Sequence, residues 1–387
     1  MLEILFLLLP IAAAYGWYMG HRSAQQDKQK QSHQISRQYV TGLNLLLSDQ
    51  SDKAVDHFIE LLQVDNETID THLALGNLFR SRGEVDRAIR IHQNLISRSG
   101  LTIDQKNLAL QQLAKDYMVS GFLDRAEKIF EQLIDEPEHR ESALQQLTAI
   151  YQQTREWHKA IECATALVKL GRKRMKVNIA HFYCELAMLE KADSNDNKAI
   201  QLFKKALQED PKCVRATISL GKLYLQNEDY QKTIDHLEMV LEQDIDFIGE
   251  VLNTLAECYH HLGREQDLIT FLRRCIANKA GVSAELMLAQ LVAQHEGIAA
   301  AQEILTRQLV KNPTMKGFYR LIDYHIAEEG RAKASLSTLQ RLVGEQLKVK
   351  PHYRCRKCGF STHSLYWHCP SCKNWGSIKP IRGLDGE

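Results

Sequence analysis

The sequence predicts a mainly α-helical solenoid with an apolar helix at its N-terminus and a small metal-held knuckle at its C-terminus. Three observations predict it: a motif returning at steps of about 34 residues, an apolar run over residues 2–20, and four cysteines in two Cys-x-x-Cys pairs near the end. Composition agrees, since 387 residues hold only 7 Pro and 20 Gly while Leu, Ala, Gln, Glu and Lys are plentiful. A length of 387 suits two or three domains, and a net charge of +1 excludes a protein built throughout for nucleic acid. The expected organisation is an anchor over 1–20, a polar tether over 21–34, about nine helical repeats over 35–349 and a metal-binding domain over 350–387.

The first element, Leu2 to Gly20, carries one charge, Glu3. As a helix it would rise about 28 Å, close to the hydrocarbon thickness of a bilayer, with Trp17 and Tyr18 suited to the interface. A cleaved signal peptide competes with this reading, because Ala12-Ala13-Ala14 imitates a cleavage site. The region before the apolar run lacks Lys and Arg, however, whereas Arg22, Lys28, Lys30 and Arg37 follow it. That asymmetry favours an uncleaved single-pass transmembrane helix with the bulk of the chain on the cytoplasmic side of a membrane. Gln-rich, aperiodic residues 21–34 read as a tether or a helical extension.

The repeat fixes the central fold. A small residue opens the second helix of each unit and a bulky one follows four later: Ala54/Phe58, Ala88/His92, Ala126/Phe130, Ala160/Ala164, Ala199/Phe203, Thr233/Leu237, Leu268/Leu272, Ala301/Leu305 and Leu336/Gln340. Twelve residues before each lies a small residue where the first helix packs closely: Gly42, Gly76, Ala114, Thr148, Ala187, Gly221, Ala256 and Ala289, the ninth copy departing with Tyr324. Longer steps before Ala126 and Ala199 imply insertions around Ser99–Lys106 and Gly171–Val177. The pattern resembles the tetratricopeptide repeat, whose helix pairs stack into a superhelical solenoid with a concave groove for peptides or protein surfaces. Groove positions of the repeat fall on Asn77, Arg80, Gln111, Lys115, Gln145, Gln152, Arg215, Lys222, Glu257 and His260. Their polar and basic character suits an acidic or extended polypeptide, although any one of them is more often simply solvated.

The C-terminal spacing is Cys-x2-Cys-x10-Cys-x2-Cys, through Cys355, Cys358, Cys369 and Cys372. Each pair can bring two sulfurs to one ion, Gly359 allowing the turn, and two pairs complete a closed tetrahedral site for zinc or a single iron. The pairs resemble rubredoxin knuckles, with a shorter intervening span than electron-carrying rubredoxins have. So small a piece needs the metal to fold, and some of Tyr353, Phe360, Tyr366, Trp367 and Trp375 should dock onto the last repeat helices. Residues 348–382 hold eight Lys/Arg and no Asp or Glu, a charge able to meet nucleic acid, anionic headgroups or an acidic protein patch. The remaining cysteines, Cys163, Cys184, Cys213, Cys258 and Cys275, are scattered without pairing logic, which suits a reducing compartment.

Catalytic motifs are absent from the sequence. There is no Walker A loop, GxGxxG or GxSxG, and His295-Glu296 lacks the second histidine of a metalloprotease helix. A rubredoxin-type electron carrier and a nucleic-acid-binding zinc ribbon remain as rivals to a non-enzymatic scaffold.

End to end, with its tail HCPSCKNWGSIKPIRGLDGE, the chain closely resembles the lipopolysaccharide assembly protein B family of Gram-negative bacteria. The resemblance implies an inner-membrane adaptor regulating lipopolysaccharide biosynthesis, with the four cysteines as metal ligands. It further implies presentation of the committed-step deacetylase of lipid A synthesis to a membrane-bound ATP-dependent zinc protease, opposed by another inner-membrane protein that senses lipopolysaccharide.

Overall fold

The computed structural model describes residues 69–98, 100–327 and 333–387, together with 15, 17–19, 40–42, 44–45, 53–54 and 56–57. It comprises two compact units, residues 1–150 and 151–387. The first holds α1 (Ile69–Ser81), α2 (Val85–Ile96), α3 (Ile103–Val119) and α4 (Leu123–Leu133), and α5 (Pro137–Thr154) carries the boundary. The second continues with α6 (Trp157–Lys169), α7 (Met175–Ala192), α8 (Asp196–Glu209), α9 (Val214–Gln226), α10 (Tyr230–Glu238) and α11 (Val240–Gln243). A 3-10 turn (Ile245–Glu250) leads to α12 (Leu252–His261), α13 (Glu265–Ala277), α14 (Val282–His295), α15 (Ile298–Lys311), α16 (Met315–Ala327) and α17 (Lys333–Val349).

The repeat register of the sequence is the packing register of the helices. Ala88, Ala126, Ala160, Ala199, Thr233 and Ala301 are all fully buried, as are their partners His92, Phe130, Ala164, Phe203 and Leu305. Small residues on the first helices let these partners in: a Cβ on Gly221 would lie 2.5 Å from the Leu237 side chain, and one on Gly76 would collide with the His92 ring. The turns repeat too. Among the described residues, a left-handed residue closes the turn within seven repeats, as Gly83, Gly121, Arg155, Ser194, Glu228, Gly263 and Gly297, so three turns accept a side chain where glycine is the unstrained choice. Thr102 adds a reciprocal cap to α3, its hydroxyl accepting from the Gln105 amide while the Gln105 side chain accepts from the Thr102 amide. The ninth copy departs from the pattern here as well, since α17 buries no residue.

Beyond α17 the chain forms a small antiparallel sheet of β1 (Tyr353–Cys355), β2 (Ser361–Thr362) and β3 (Ile378–Pro380), in the order β2-β1-β3. Tyr353 pairs with Thr362 on one side and Pro380 on the other.

One expectation is corrected. Most of the apolar run over 1–20 lies outside the described residues, and among the described residues no helix is long and apolar enough to cross a membrane. A single-pass inner-membrane anchor is therefore not supported. The tether over 21–34 also lies outside the described residues.

Candidate metal centre and its seat

Four sulfurs converge. The Sγ atoms of Cys355, Cys358, Cys369 and Cys372 all lie within 4.8 Å of one another. Cys355 faces Cys372 and Cys358 faces Cys369, each at 3.7 Å. Two turns achieve this, one closed by Gly359 with its amide on the Cys355 carbonyl, the other by Lys373 in the left-handed region with its amide on the Cys369 carbonyl. Burial raises the Cys355 thiol, but its hydrogen bond with the Ser377 hydroxyl and those from the Cys358 and Lys357 amides outweigh it and bring the group down to about 6. Cys369, fully buried, is pushed up to about 11 by burial, while the Asn374 side chain and amide hold Cys372 below the usual thiol range. Such donors fit one metal ion in a tetrathiolate site, zinc or iron, and leave no protein position open for a substrate.

The knuckle has a built seat on the repeats of the second unit. Trp375 is stacked between His181 at 5.0 Å and His368 at 4.5 Å, with Phe182 edge-on at 6.0 Å and Trp157 at 6.4 Å. Its indole N–H donates to the Gln152 side-chain oxygen at 3.0 Å, while the other end of that amide lies 2.8 Å from His368 Nε2. The Arg215 guanidinium sits 5.8 Å from the Trp375 ring centre and is fixed by Glu185 at 2.8 Å. Trp367 stacks on Phe247 at 5.2 Å.

Charge fastens the opposite edge. Lys379 bridges Asp244 at 2.7 Å and Asp246 at 3.3 Å, Arg382 pairs with Asp246 at 2.5 Å, and Tyr353 donates to Glu250 at 2.5 Å. Asp244 also caps the 3-10 turn, accepting from the Asp246 amide. The tail then returns to α14 and α16: the buried Glu387 carboxylate accepts from the Ser283 amide and hydroxyl on the first and from Lys316 on the second.

The sequence-predicted groove residues divide. Gln152 and Arg215 meet the knuckle. Asn77, Arg80 and Gln111 are taken by their own unit, Arg80 reaching Asn77, Gln112 and Asp116, and Gln111 reaching Ser142. Burial, followed by the Arg80 charge, lowers Lys115. Gln145, Lys222, Glu257 and His260 are exposed, His260 lying 3.2 Å from Glu265. The aromatic side chains dock on the middle repeats rather than the last ones, because the acidic turn at 244–250 and the His181–Phe182 pair lie there; Tyr366 remains 47% exposed. Sequence reasoning missed this seat, although Asp244, Asp246 and Glu250 form the acidic match to the basic knuckle.

The model of the rubredoxin metal binding domain matches residues 353–380, and tetratricopeptide repeat models match 71–101 and 195–246. Lipopolysaccharide assembly protein B of Escherichia coli K12 is 53% identical over 388 residues, covering 100% of both chains. The chain belongs to the lipopolysaccharide assembly protein B family. The Haemophilus influenzae member of that family is 48% identical over 98% of each chain. Among solved structures, the tetratricopeptide protein YrrB is 16% identical, covers 48% of this chain and 92% of its own, and superposes with a TM-score of 0.33. Within the assembly protein B family, then, this chain combines tetratricopeptide repeats with a C-terminal four-cysteine domain, a scaffold type of architecture.

Proposed function

We propose that the chain is a non-enzymatic adaptor that regulates lipopolysaccharide synthesis by presenting the committed-step deacetylase of lipid A synthesis to an ATP-dependent zinc protease. The observation that carries this reading is the closed four-thiol site seated on helical repeats. An ion surrounded by four cysteines has no position for substrate, so its contribution is to shape, and the working surface is the helix face. Cys355, Cys358, Cys369 and Cys372 are the proposed ligands, and Lys115, Gln145, Lys222 and Glu257 the partner-facing groove residues, since these keep accessible polar groups. Family membership supports the pathway, and tetratricopeptide repeats support binding to protein. Holding substrate and protease on one scaffold raises their effective concentration, which accelerates degradation without any chemistry by the scaffold.

The test is reconstituted degradation. Purified deacetylase and protease should show faster loss of the deacetylase when the chain is added, and a Lys115→Glu, Lys222→Glu double variant should slow it again by roughly tenfold if each charge is worth a typical rim contact of about 0.7 kcal/mol. An adaptor that leaves the rate unchanged, or a deacetylase that does not bind it, would end this reading.

A further inference from the structure

Of the cysteines outside the knuckle, the fold brings two together. Cys184 on α7 and Cys213, the residue that opens α9, place their sulfurs 4.0 Å apart, and both are buried. Their neighbours in the chain form the seat of the knuckle. His181, one turn before Cys184, stacks on Trp375; Glu185, next to Cys184, pairs with Arg215, two residues after Cys213, and that guanidinium faces the same indole. The two thiols differ. Cys213 is held below the usual thiol range by its hydrogen bond with Cys184, then by the Ala216 backbone N–H and the Arg215 charge, against burial. Cys184 is pushed well above that range, first by burial and then by the same hydrogen bond. Two sulfurs 4.0 Å apart on neighbouring helices can close to a disulfide with only a small movement of the backbone.

We propose that Cys184 and Cys213 form a hydroperoxide-sensitive dithiol whose oxidation to a disulfide disturbs the seat of the knuckle. The Cys213 thiolate attacks one oxygen of hydrogen peroxide, the O–O bond breaks, and the departing hydroxide takes the proton that Cys213 released, leaving a sulfenic acid and water. The Cys184 sulfur then attacks the Cys213 sulfur. An S–S bond forms, the S–O bond breaks, and the Cys184 proton leaves with the hydroxyl as a second water. Two thiols thus give up two electrons to one peroxide. Closing the sulfurs from 4.0 Å to a bond of about 2.0 Å pulls on α7 and α9. His181 and Arg215 ride on those helices, so the clamp on Trp375 is strained.

The experiment uses the full-length, metal-loaded protein titrated with hydrogen peroxide, alkylated without reductant and mapped by mass spectrometry. The expected result is a cross-linked peptide joining Cys184 to Cys213, two hydrogens lighter, at a peroxide level that leaves Cys163 alkylatable. Amide exchange across 374–381 should quicken roughly tenfold and return on addition of dithiothreitol. Both thiols remaining alkylatable after Cys163 is oxidised would overturn the proposal. A disulfide with unchanged exchange at 374–381 would overturn the link to the seat. In Cys184→Ser and Cys213→Ser, exchange at 374–381 should no longer respond to peroxide; if it still does, the metal thiolates are the target and the proposal is wrong. Mapping of the unsubstituted chain needs no variant, so a folding defect cannot hide the outcome.

Discussion

Arg80 and Gln152 occupy the same position of the tetratricopeptide repeat, one in the unit of residues 1–150 and the other in that of 151–387, and they do different things. Arg80 turns into its own unit, where Asp116, itself fully buried, accepts from it at 2.8 Å and also meets His92 at 2.5 Å. His92 fills the slot that other repeats give to Phe130, Phe203 or Leu237, lying over Gly76, so a polar cluster replaces an apolar contact in that repeat. Gln152 instead serves a separate piece of the chain, gripping Trp375 and His368 of the knuckle. A polar side chain at a groove position therefore signals a partner only when its own fold leaves it free, and the partner can be a later segment of the same chain.

The largest expected effect falls on the knuckle. Stripping the metal with a chelator, or making Cys369→Ser, should unfold residues 353–380, because ligation of this kind supplies on the order of 10 kcal/mol to so small a unit. Trp157, Phe182 and Phe247 would then lose the cover of Trp375 and Trp367. Hydrogen exchange should show lost protection at 353–380 and unchanged protection in α3, whose polar cluster owes nothing to sulfur. Full protection at 353–380 after chelation would mean that the seat alone holds the knuckle.

A pair of substitutions sharpens the contrast between the two positions. Trp375→Ala should cost about 2–3 kcal/mol, somewhat less than loss of a fully buried aromatic because Trp375 is half-buried, and the loss should be read at the knuckle. Asp116→Ala should cost about 3 kcal/mol in the first unit, because it leaves Arg80 and His92 without their shared acceptor. Denaturant unfolding followed by local exchange separates the two. A near-neutral Asp116→Ala would show that the cluster is held by packing around His92 rather than by charge.

Much of this was legible in the sequence, for definite reasons. The repeat was, because each close approach demands a small residue at a fixed distance from a bulky one, and Gly221 with Leu237 or Ala199 with Phe203 leave that imprint. The sulfur cluster was, because two-residue gaps dictate which thiols can share an ion. The seat was not. Gln152, His181, Arg215 and Asp246 lie far from Trp375 and Lys379 in the chain, and no period connects them. Only the opposed charge of residues 244–250 and 348–382 hinted that the two segments meet. Likewise Cys184 and Cys213 carry no spacing rule, since their approach is set by the packing of α7 and α9.

The smallest effect concerns pH, and it discriminates between the two kinds of polar site. Burial, with the Arg215 charge and then His368 adding to it, lowers His181 to about 3, so the ring stacked on Trp375 is neutral in the folded protein. A histidine whose folded value lies below its unfolded one favours the fold fully above about pH 6.5 and loses that support as the pH falls toward 3, at about 1.4 kcal/mol per unit. Docking of the knuckle should therefore weaken by about 1–2 kcal/mol between pH 7 and pH 5.5, seen as faster exchange at 374–381. A His181→Phe variant keeps the aromatic contact and should flatten the profile, while the Lys379 and Arg382 ion pairs with Asp244 and Asp246 hold the basic edge. If His181→Phe shows the same slope as the unsubstituted chain, the proton is taken up elsewhere and the stacked ring is only a spacer.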